Sequence, residues 1–140
     1  MFIPKQSFLK DSLQHRARLC KRVTKTLYYP ILYSGTIGLK LLNFGFLTPK
    51  QLESTYLTIT KIIKKCGTVR FFAFPTASLT TKSKNARMGK GKGKTVRCWV
   101  YKVRTGFILC EISTSNKNLA VKALLQARFK LPLSSVIIFN

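Results

Sequence analysis

A run in which glycine alternates with basic residues, from Arg87 to Gly93, most restricts how this chain can fold. Glycine lets the backbone adopt positive φ angles and approach a partner closely, and each lysine adds a positive charge on a flexible stem. Seven cations and no acid lie between residues 82 and 97: Lys82, Lys84, Arg87, Lys90, Lys92, Lys94 and Arg97. Such a segment cannot be buried, because nothing would offset the desolvation and repulsion of its charges. It is either a solvated loop or a phosphate-binding loop, and the charge of the whole chain favours the second.

The rest of the chain has the same sign of charge. Its 140 residues include 26 Lys and Arg but only 3 Asp and Glu, which gives a formal net charge of +23, yet 46% of the residues are hydrophobic. Disordered basic tails lack this apolar content, so the composition predicts one folded domain with a basic exterior. Nucleic acid and an anionic membrane are the candidate partners. We predict no membrane span, because no uninterrupted apolar stretch of about 18 residues occurs.

The sequence offers little for catalysis or metal binding. Its three acids are scattered, and His15 is the only histidine. The four cysteines include no Cys-x-x-Cys pair, so the spacing of zinc ligands is missing. Gly93-Lys94-Thr95 resembles part of a nucleotide-binding P-loop, but Met88 stands where that motif requires glycine. We therefore predict no enzyme, no metal site and no cofactor.

The chain divides into an arm and one domain. Residues 1–30 are rich in cations and lack hydrophobic periodicity, which predicts a basic N-terminal arm. Its candidate RNA-binding residues are Lys5, Lys10, Arg16, Arg18, Lys21, Arg22 and Lys25. Residues 31–140 are predicted to form a single α+β RNA-binding domain. Within it, apolar runs broken by glycines over 31–46 predict an irregular strand pair or a bulged hairpin.

Two helices are predicted. Thr48, Pro49 and Gln51 form an N-terminal capping pattern, and Gly67 is expected to stop a helix over residues 49–66. Its inward positions are Leu52, Tyr56, Ile59, Ile62, Ile63 and Cys66. Ser115 or Asn116 is predicted to cap a second helix that ends before Pro132. Its inward positions are Leu119, Leu124, Leu125 and Phe129.

Apolar and β-branched runs predict strands at 69–74, 96–103, 107–112 and 136–139. The tight turn at Arg104-Thr105-Gly106 predicts that the second and third of these form a hairpin. Residues 76–95 are predicted to be a flexible basic loop. This order predicts an α+β fold, with two helices packed on one face of a mainly antiparallel sheet.

Several aromatic residues fall on predicted strands: Phe71, Phe72, Trp99, Tyr101 and Phe107. They suit either a hydrophobic core or a sheet that stacks on RNA bases. The runs lack the pattern of the common RNA-recognition sheet, so core packing is favoured.

The basic run belongs to an ordered series of motifs. The series comprises Met1-Phe2-Ile3-Pro4-Lys5, Gly35-Thr36-Ile37-Gly38-Leu39-Lys40, Leu47-Thr48-Pro49-Lys50-Gln51-Leu52-Glu53, Phe74-Pro75, Thr80-Thr81-Lys82, the run at 87–93, Trp99-Val100, Gly106, Glu111 and Lys130-Leu131-Pro132. In this order the motifs resemble the family of large-subunit ribosomal protein sixteen, in its bacterial and organellar form, over most of the chain. One departure is Pro75-Thr76-Ala77-Ser78, where the family usually has Pro-Asp-Lys-Pro.

The resemblance implies a structural constituent of the large ribosomal subunit that supports translation and subunit assembly. It implies binding to large-subunit rRNA near the aminoacyl-tRNA site. Neighbouring large-subunit ribosomal proteins and, by proximity, aminoacyl-site tRNA would be partners, and the chain would not be a free homo-oligomer. The predicted RNA-binding residues are the arm cations together with Lys82, Lys84, Arg87, Met88, Gly89, Lys90, Gly91, Lys92, Gly93, Lys94 and Arg97.

Two other functions remain open at this point: a free-standing RNA-binding or RNA-chaperone factor, and a membrane-active cationic protein. Because the family motif starts at Met1, we expect no cleaved presequence. A basic chain rich in Phe, Ile and Leu and poor in acids is typical of organelle-encoded proteins. We therefore expect a mitochondrial location, in the large mitoribosomal subunit, with the plastid as the alternative.

Overall fold

The computed structural model describes residues 32–85, 87, 89, 91, 93 and 95–140. The predicted arm and all its cations lie outside these residues. The described chain forms β1 (Ile37–Leu41), β2 (Gly45–Leu47), α1 (Pro49–Ile63), β3 (Gly67–Phe71), β4 (Ala77–Thr81), β5 (Thr95–Val103), β6 (Ile108–Thr114), α2 (Lys117–Arg128) and β7 (Ser135–Phe139). The predicted α+β class is confirmed.

The strands form two sheets where the sequence predicted one. The first sheet has the order β3-β6-β1-β7 and the second has the order β2-β5-β4. The pairings described in both sheets are antiparallel. The predicted strand pair or bulged hairpin over 31–46 is wrong, because β1 and β2 lie in different sheets. The predicted hairpin at Arg104 to Gly106 is wrong for the same reason, since β5 and β6 also lie in different sheets.

The turn after β5 shows why the second hairpin does not form. The Gly106 N–H donates to the Leu41 carbonyl at 2.7 Å, and the Leu41 N–H donates to the Phe107 carbonyl at 2.8 Å. Leu41 at the end of β1 therefore takes the hydrogen bonds that a hairpin would have used. The turn passes the chain from the second sheet to the first, and β6 then pairs with β1 and β3.

Helix α1 begins as predicted. The Thr48 hydroxyl accepts the Gln51 N–H at 3.4 Å, and the Gln51 side chain accepts the Thr48 N–H at 2.9 Å, which completes a capping box. The helix ends at Ile63, three residues before the predicted end. It ends there because Lys64 has a φ of 51° and its N–H closes the last turn on the Thr60 carbonyl. Gly67, the predicted stop, instead begins β3.

The two helices pack against each other and against the first sheet. Helix α1 buries Leu52, Thr55, Ile59 and Ile63. Its predicted inward residues Tyr56 and Ile62 are half-buried, whereas Cys66 is exposed because it lies beyond the helix.

Helix α2 is capped by Asn116, whose side chain accepts the Leu119 N–H at 3.2 Å. It buries Ala120, Ala123, Leu124 and Ala127. The inward position of Leu124 is confirmed, and Leu119 is half-buried. Leu125 and Phe129 were predicted wrongly, since they are 45% and 85% exposed. Three of the four buried residues of α2 are alanines, and Phe129 already lies beyond the helix as its C-cap.

The preference for core packing of the strand aromatics is confirmed for Phe71 and Trp99, which are buried. Tyr101 and Phe107 are half-buried against the same core, with their ring centroids 5.2 Å apart. Phe72 differs, because its ring lies 5.9 Å from that of the exposed Tyr33.

Candidate nucleic-acid interface

A long hairpin carries the basic run at one end of the second sheet. Strands β4 and β5 pair antiparallel from Ala77 opposite Val100 out to Thr81 opposite Thr95. Five residues of the predicted loop 76–95 are therefore a strand, and the connection shortens to residues 82–94. Because Ser78, Thr80 and Thr81 are polar, the sequence did not indicate a strand here. Backbone pairing with β5 nevertheless holds it in the sheet.

Burial decreases along this hairpin from its base to its tip. At the base, Ala77, Ser78 and Val100 are almost fully buried. At the other end of the paired region, Thr95 and Arg97 are exposed. The strands therefore attach the cationic segment firmly to the domain while leaving its charges in solvent.

A β-bulge in the hairpin changes the register at Arg97. Leu79 lies opposite Cys98, but the next residue, Thr80, lies opposite Val96, so Arg97 is the extra residue on β5. Bulges bend the strand and redirect the side chain that has no counterpart. Arg97 is exposed near the start of β5, at the C-terminal end of the cationic segment. Its RNA-binding role stays a prediction, but the bulge accounts for the exposure of its side chain, and no local sequence signal indicated the bulge.

Three glycines at the tip of the hairpin, residues 82–97, occupy positions where a side chain would be strained or would clash with the backbone. Gly89 and Gly91 have φ angles of 109° and 73°, which glycine adopts without strain. Gly93 packs against the backbone of Thr81, where a Cβ atom would stand 2.2 Å from the carbonyl oxygen. The Lys82 ammonium group donates to the Gly89 carbonyl across the tip. These contacts give the described part of the tip its shape without burying a cation.

The structure describes seven of the predicted RNA-binding residues, and all of them lie at this end of the hairpin: Lys82, Lys84, Arg87, Gly89, Gly91, Gly93 and Arg97. Gly93 is half-buried and the other six are exposed. The predicted residues Met88, Lys90, Lys92 and Lys94 lie outside the described residues, as do the arm cations.

No internal acid neutralises the described cations of the tip. Within the described ranges the acids are Glu53, which is exposed on α1, and Glu111, which is 1% exposed on β6. No ion pair within 4 Å joins two described residues. The described part of the chain therefore leaves this charge open to an external anion. Phosphate groups fit, because exposed cations and nearby backbone N–H groups both favour them.

Among the described residues, no group of three or more His, Cys, Asp or Glu side chains could hold a metal ion. Cys66, Cys98 and Cys110 are free thiols. Burial raises the pKa of the Cys110 thiol to about 12, with a smaller contribution from the nearby Glu111 carboxylate, although a backbone hydrogen bond with Leu39 acts in the opposite direction. A thiol with such a pKa stays protonated and unreactive at neutral pH.

Neither helix within the described ranges has the length and hydrophobicity needed to cross a membrane.

Sequence reasoning missed one exposed cation on the first sheet. Arg70 lies on β3, an edge strand, and its side chain is exposed. Because Val69 and Phe71 flank this arginine, the sequence of the segment indicates only an apolar strand. Its position in an alternating strand was the only signal that its side chain would face away from the core.

Comparison with known proteins gives a consistent picture. The sequence profile of the family described as ribosomal protein L16p/L10e matches residues 10–138. Large ribosomal subunit protein uL16 of Psychrobacter cryohalolentis is 41% identical over 104 residues, which cover 74% of this chain and 75% of that protein. The uL16 protein of Psychrobacter arcticus matches with the same identity and coverage. The resemblance inferred from the ordered motifs is confirmed, and the chain belongs to the ribosomal protein L16p/L10e family.

Proposed function

We propose that this chain binds large-subunit rRNA through the basic end of its β4–β5 hairpin, near the aminoacyl-tRNA site. Its family makes it a structural, non-enzymatic ribosomal protein of the large subunit. The proposal concerns what the protein contacts there: rRNA directly, aminoacyl-site tRNA by proximity, and neighbouring ribosomal proteins.

One observation carries the proposal. Exposed cations cluster where the hairpin leaves the domain, and the described residues supply no acid to balance them. Lys82 and Lys84 follow β4, Arg87 lies within the tip, and the bulge exposes Arg97 on β5. A projecting hairpin of this charge can enter a space lined by phosphates, and the release of condensed counterions would drive its binding.

The location near the aminoacyl-tRNA site is supported by the motif at residues 87–93, which resembles the family's functional loop. The predicted basic arm would add rRNA contacts from the other end of the chain. A mitochondrial location is supported by the composition, with few acids and abundant Phe, Ile and Leu. The two relatives named above are bacterial.

The test measures how salt weakens binding of the full chain to a fragment of large-subunit rRNA. Replacing Lys82, Arg87 and Arg97 together with Gln should flatten the slope of log affinity against log salt by about 2–3, at about 0.7–0.9 for each lost phosphate contact. The matched control replaces three exposed cations of α2: Lys117, Lys122 and Arg128. Equal flattening by both triple variants would show that overall charge, not the hairpin, binds the RNA.

A free-standing RNA chaperone using the same hairpin is the alternative function. A structural constituent should remain with large subunits during sedimentation in high salt, because many contacts hold it in place. A chaperone should dissociate under the same conditions. Release of this chain by salt that leaves other large-subunit proteins bound would favour the chaperone.

A further inference from the structure

A short segment before β1 crosses the face of the first sheet that lies away from the helices. Leu32 is 4% exposed and packs against Gly38 and the sheet beneath it. The Glu111 carboxylate then accepts three backbone N–H groups, from Tyr33 at 2.9 Å, Ser34 at 3.1 Å and Gly35 at 3.2 Å. Three such donors satisfy a carboxylate that is only 1% exposed. Glu111 is therefore occupied in fixing this segment.

A cleft of about 540 Å³ lies between the fixed segment and the edge of the sheet. Its lining residues are Ser34, Gly35, Thr68, Val69, Arg70, Glu111 and Ser113. Strand register places Thr68 opposite Ser113 and Arg70 opposite Glu111, so these side chains share one face of β3 and β6. The volume falls within the range of about 300–1,000 Å³ that is usual for small-ligand sites.

The accessible groups of the cleft are hydroxyls and one guanidinium. Thr68, Arg70 and Ser113 are exposed. No described carboxylate forms an ion pair with the Arg70 guanidinium within 4 Å. The oxygens of Glu111 accept backbone N–H groups instead. Arg70 thus offers an unpaired planar donor group, which is the geometry that phosphate oxygens accept.

An exposed aromatic ring stands beside the cleft. Tyr33 is 84% exposed, although its own backbone N–H is tied to Glu111. Its ring centroid lies 5.9 Å from that of Phe72, with 47° between the ring planes. Ser34, which follows Tyr33, and Arg70, which precedes Phe72 by two residues, both line the cleft, so the pair of rings flanks it. An open ring beside a cleft that contains a cation is an arrangement on which unstacked RNA bases stack.

We propose that this cleft binds one unstacked nucleotide of RNA. The base stacks on Tyr33, a phosphate accepts from Arg70, and the hydroxyls of Ser34, Thr68 and Ser113 contact the ribose or the base edge. A peptide added to the edge of β3 is disfavoured, because the lining has one apolar side chain, Val69, and the chain carries a charge of +23. The proposal rests on the proposed RNA-binding function, but it places a second contact on a different sheet from the hairpin.

The first experiment measures binding of the full chain to a fluorescent single-stranded oligouridylate. Tyr33→Leu should weaken binding by about 5- to 150-fold if one base is stacked. Its matched control is Phe129→Leu, which removes an aromatic ring that is 85% exposed just after α2. Arg70→Gln should flatten the salt dependence by about 0.7, whereas Arg70→Lys should restore the slope; Arg128→Gln is the charge-matched control. Thermal melting should be unchanged in all variants, because each altered side chain is exposed.

The controls separate this proposal from the hairpin proposal. If Tyr33→Leu and Arg70→Gln change binding no more than Phe129→Leu and Arg128→Gln, the cleft does not bind RNA. The hairpin variants can still alter rRNA binding in that case, so the proposed function would stand. If the cleft variants alone change binding, the cleft is supported and the hairpin assignment fails.

A second experiment uses the unaltered protein. Ultraviolet irradiation of intact large subunits, followed by mass spectrometry, should yield a peptide containing Tyr33 that carries a covalently attached nucleotide. The same peptide cross-linked to a segment of a neighbouring protein would overturn the proposal and identify the cleft as a protein interface.

Discussion

The helical body and the tip of the β4–β5 hairpin differ in how their charged groups are satisfied. The body consists of α1, α2 and the first sheet, and its buried charge, Glu111, is satisfied by three N–H groups of the same chain. The tip, residues 82–97, keeps its described cations in solvent, and no described acid forms an ion pair with them. The buried charge of the body is therefore satisfied within the described chain, whereas under the proposed function an anionic partner would supply the counter-charge of the tip.

This difference shows how a chain with a net charge of +23 can still have a stable core. Fully buried side chains such as Leu39, Ile59 and Leu124 unite both helices with the first sheet. The cations are excluded from that core, and the hairpin strands carry a group of them into solvent. Stability and binding should therefore respond to different substitutions, and this separation can be tested.

The largest loss of stability should follow from truncating the shared core. Leu124 and Ile59 are 0% exposed on facing helices. Changing either one to alanine should lower the free energy of unfolding by about 2–5 kcal/mol. Denaturant unfolding of the full chain in high salt, which screens self-repulsion, measures this loss. A loss below 1 kcal/mol would mean that the helices do not share a tightly packed core.

A smaller but substantial loss should follow from Glu111→Gln. An amide offers one acceptor oxygen where the carboxylate offers two, so one of the three N–H groups at residues 33–35 would lose its partner. Leaving a buried donor unsatisfied costs about 1–3 kcal/mol. Glu53→Gln, on the exposed face of α1, is the matched control and should change stability by less than about 0.5 kcal/mol. Equal effects of the two substitutions would contradict the assigned role of Glu111.

Sequence reasoning succeeded where the signal is local. The start of α1 depends on Thr48, Pro49 and Gln51, which contact one another within one helical turn, and it was predicted correctly. Strand pairing is not local. The Arg104 to Gly106 turn looked like a hairpin, but the partner of its backbone is Leu41, more than 60 positions away in the sequence. No pattern within the turn itself indicates that Leu41 is its hydrogen-bond partner.

The candidate site divides in the same way. The glycine and lysine alternation identified the tip directly, because a dense run of cations excludes burial. The bulge at Arg97 and the cleft at Arg70 depend on register between distant strands, so the sequence did not reveal them. Phe129 is predicted to face inward because it is large and apolar, but the buried face of α2 consists mainly of alanines and Phe129 lies beyond the helix end.

The pH dependence of stability should report the burial of the Cys110 thiol in the first sheet. Burial holds the pKa of Cys110 at about 12 in the folded protein. The folded state therefore keeps a proton that the unfolded state loses once the pH passes the ordinary thiol value. Stability should consequently fall as the pH rises above that value, by up to about 1.4 kcal/mol per pH unit.

Unfolding measured between pH 8.5 and 10 tests this slope. Cys110→Ala should remove the thiol contribution, while Cys66→Ala should retain it, because Cys66 is exposed. Comparing slopes rather than absolute stabilities removes the effect of the cavity that Cys110→Ala creates. Identical slopes in the two variants would mean that Cys110 is not shielded by the first sheet.

The smallest effect on stability should come from Arg87→Ala. Arg87 is exposed at the tip, so its removal should change the free energy of unfolding by less than about 0.5 kcal/mol. Its guanidinium offers a planar donor fork to a phosphate or a guanine edge, which alanine removes and lysine copies only in charge. Arg87→Ala should therefore impair translation by ribosomes that contain it, with Arg87→Lys intermediate. If Arg87→Ala lowers the melting temperature as much as Leu124→Ala does, Arg87 belongs to the structural body, and the division between a self-sufficient body and a partner-dependent tip is wrong.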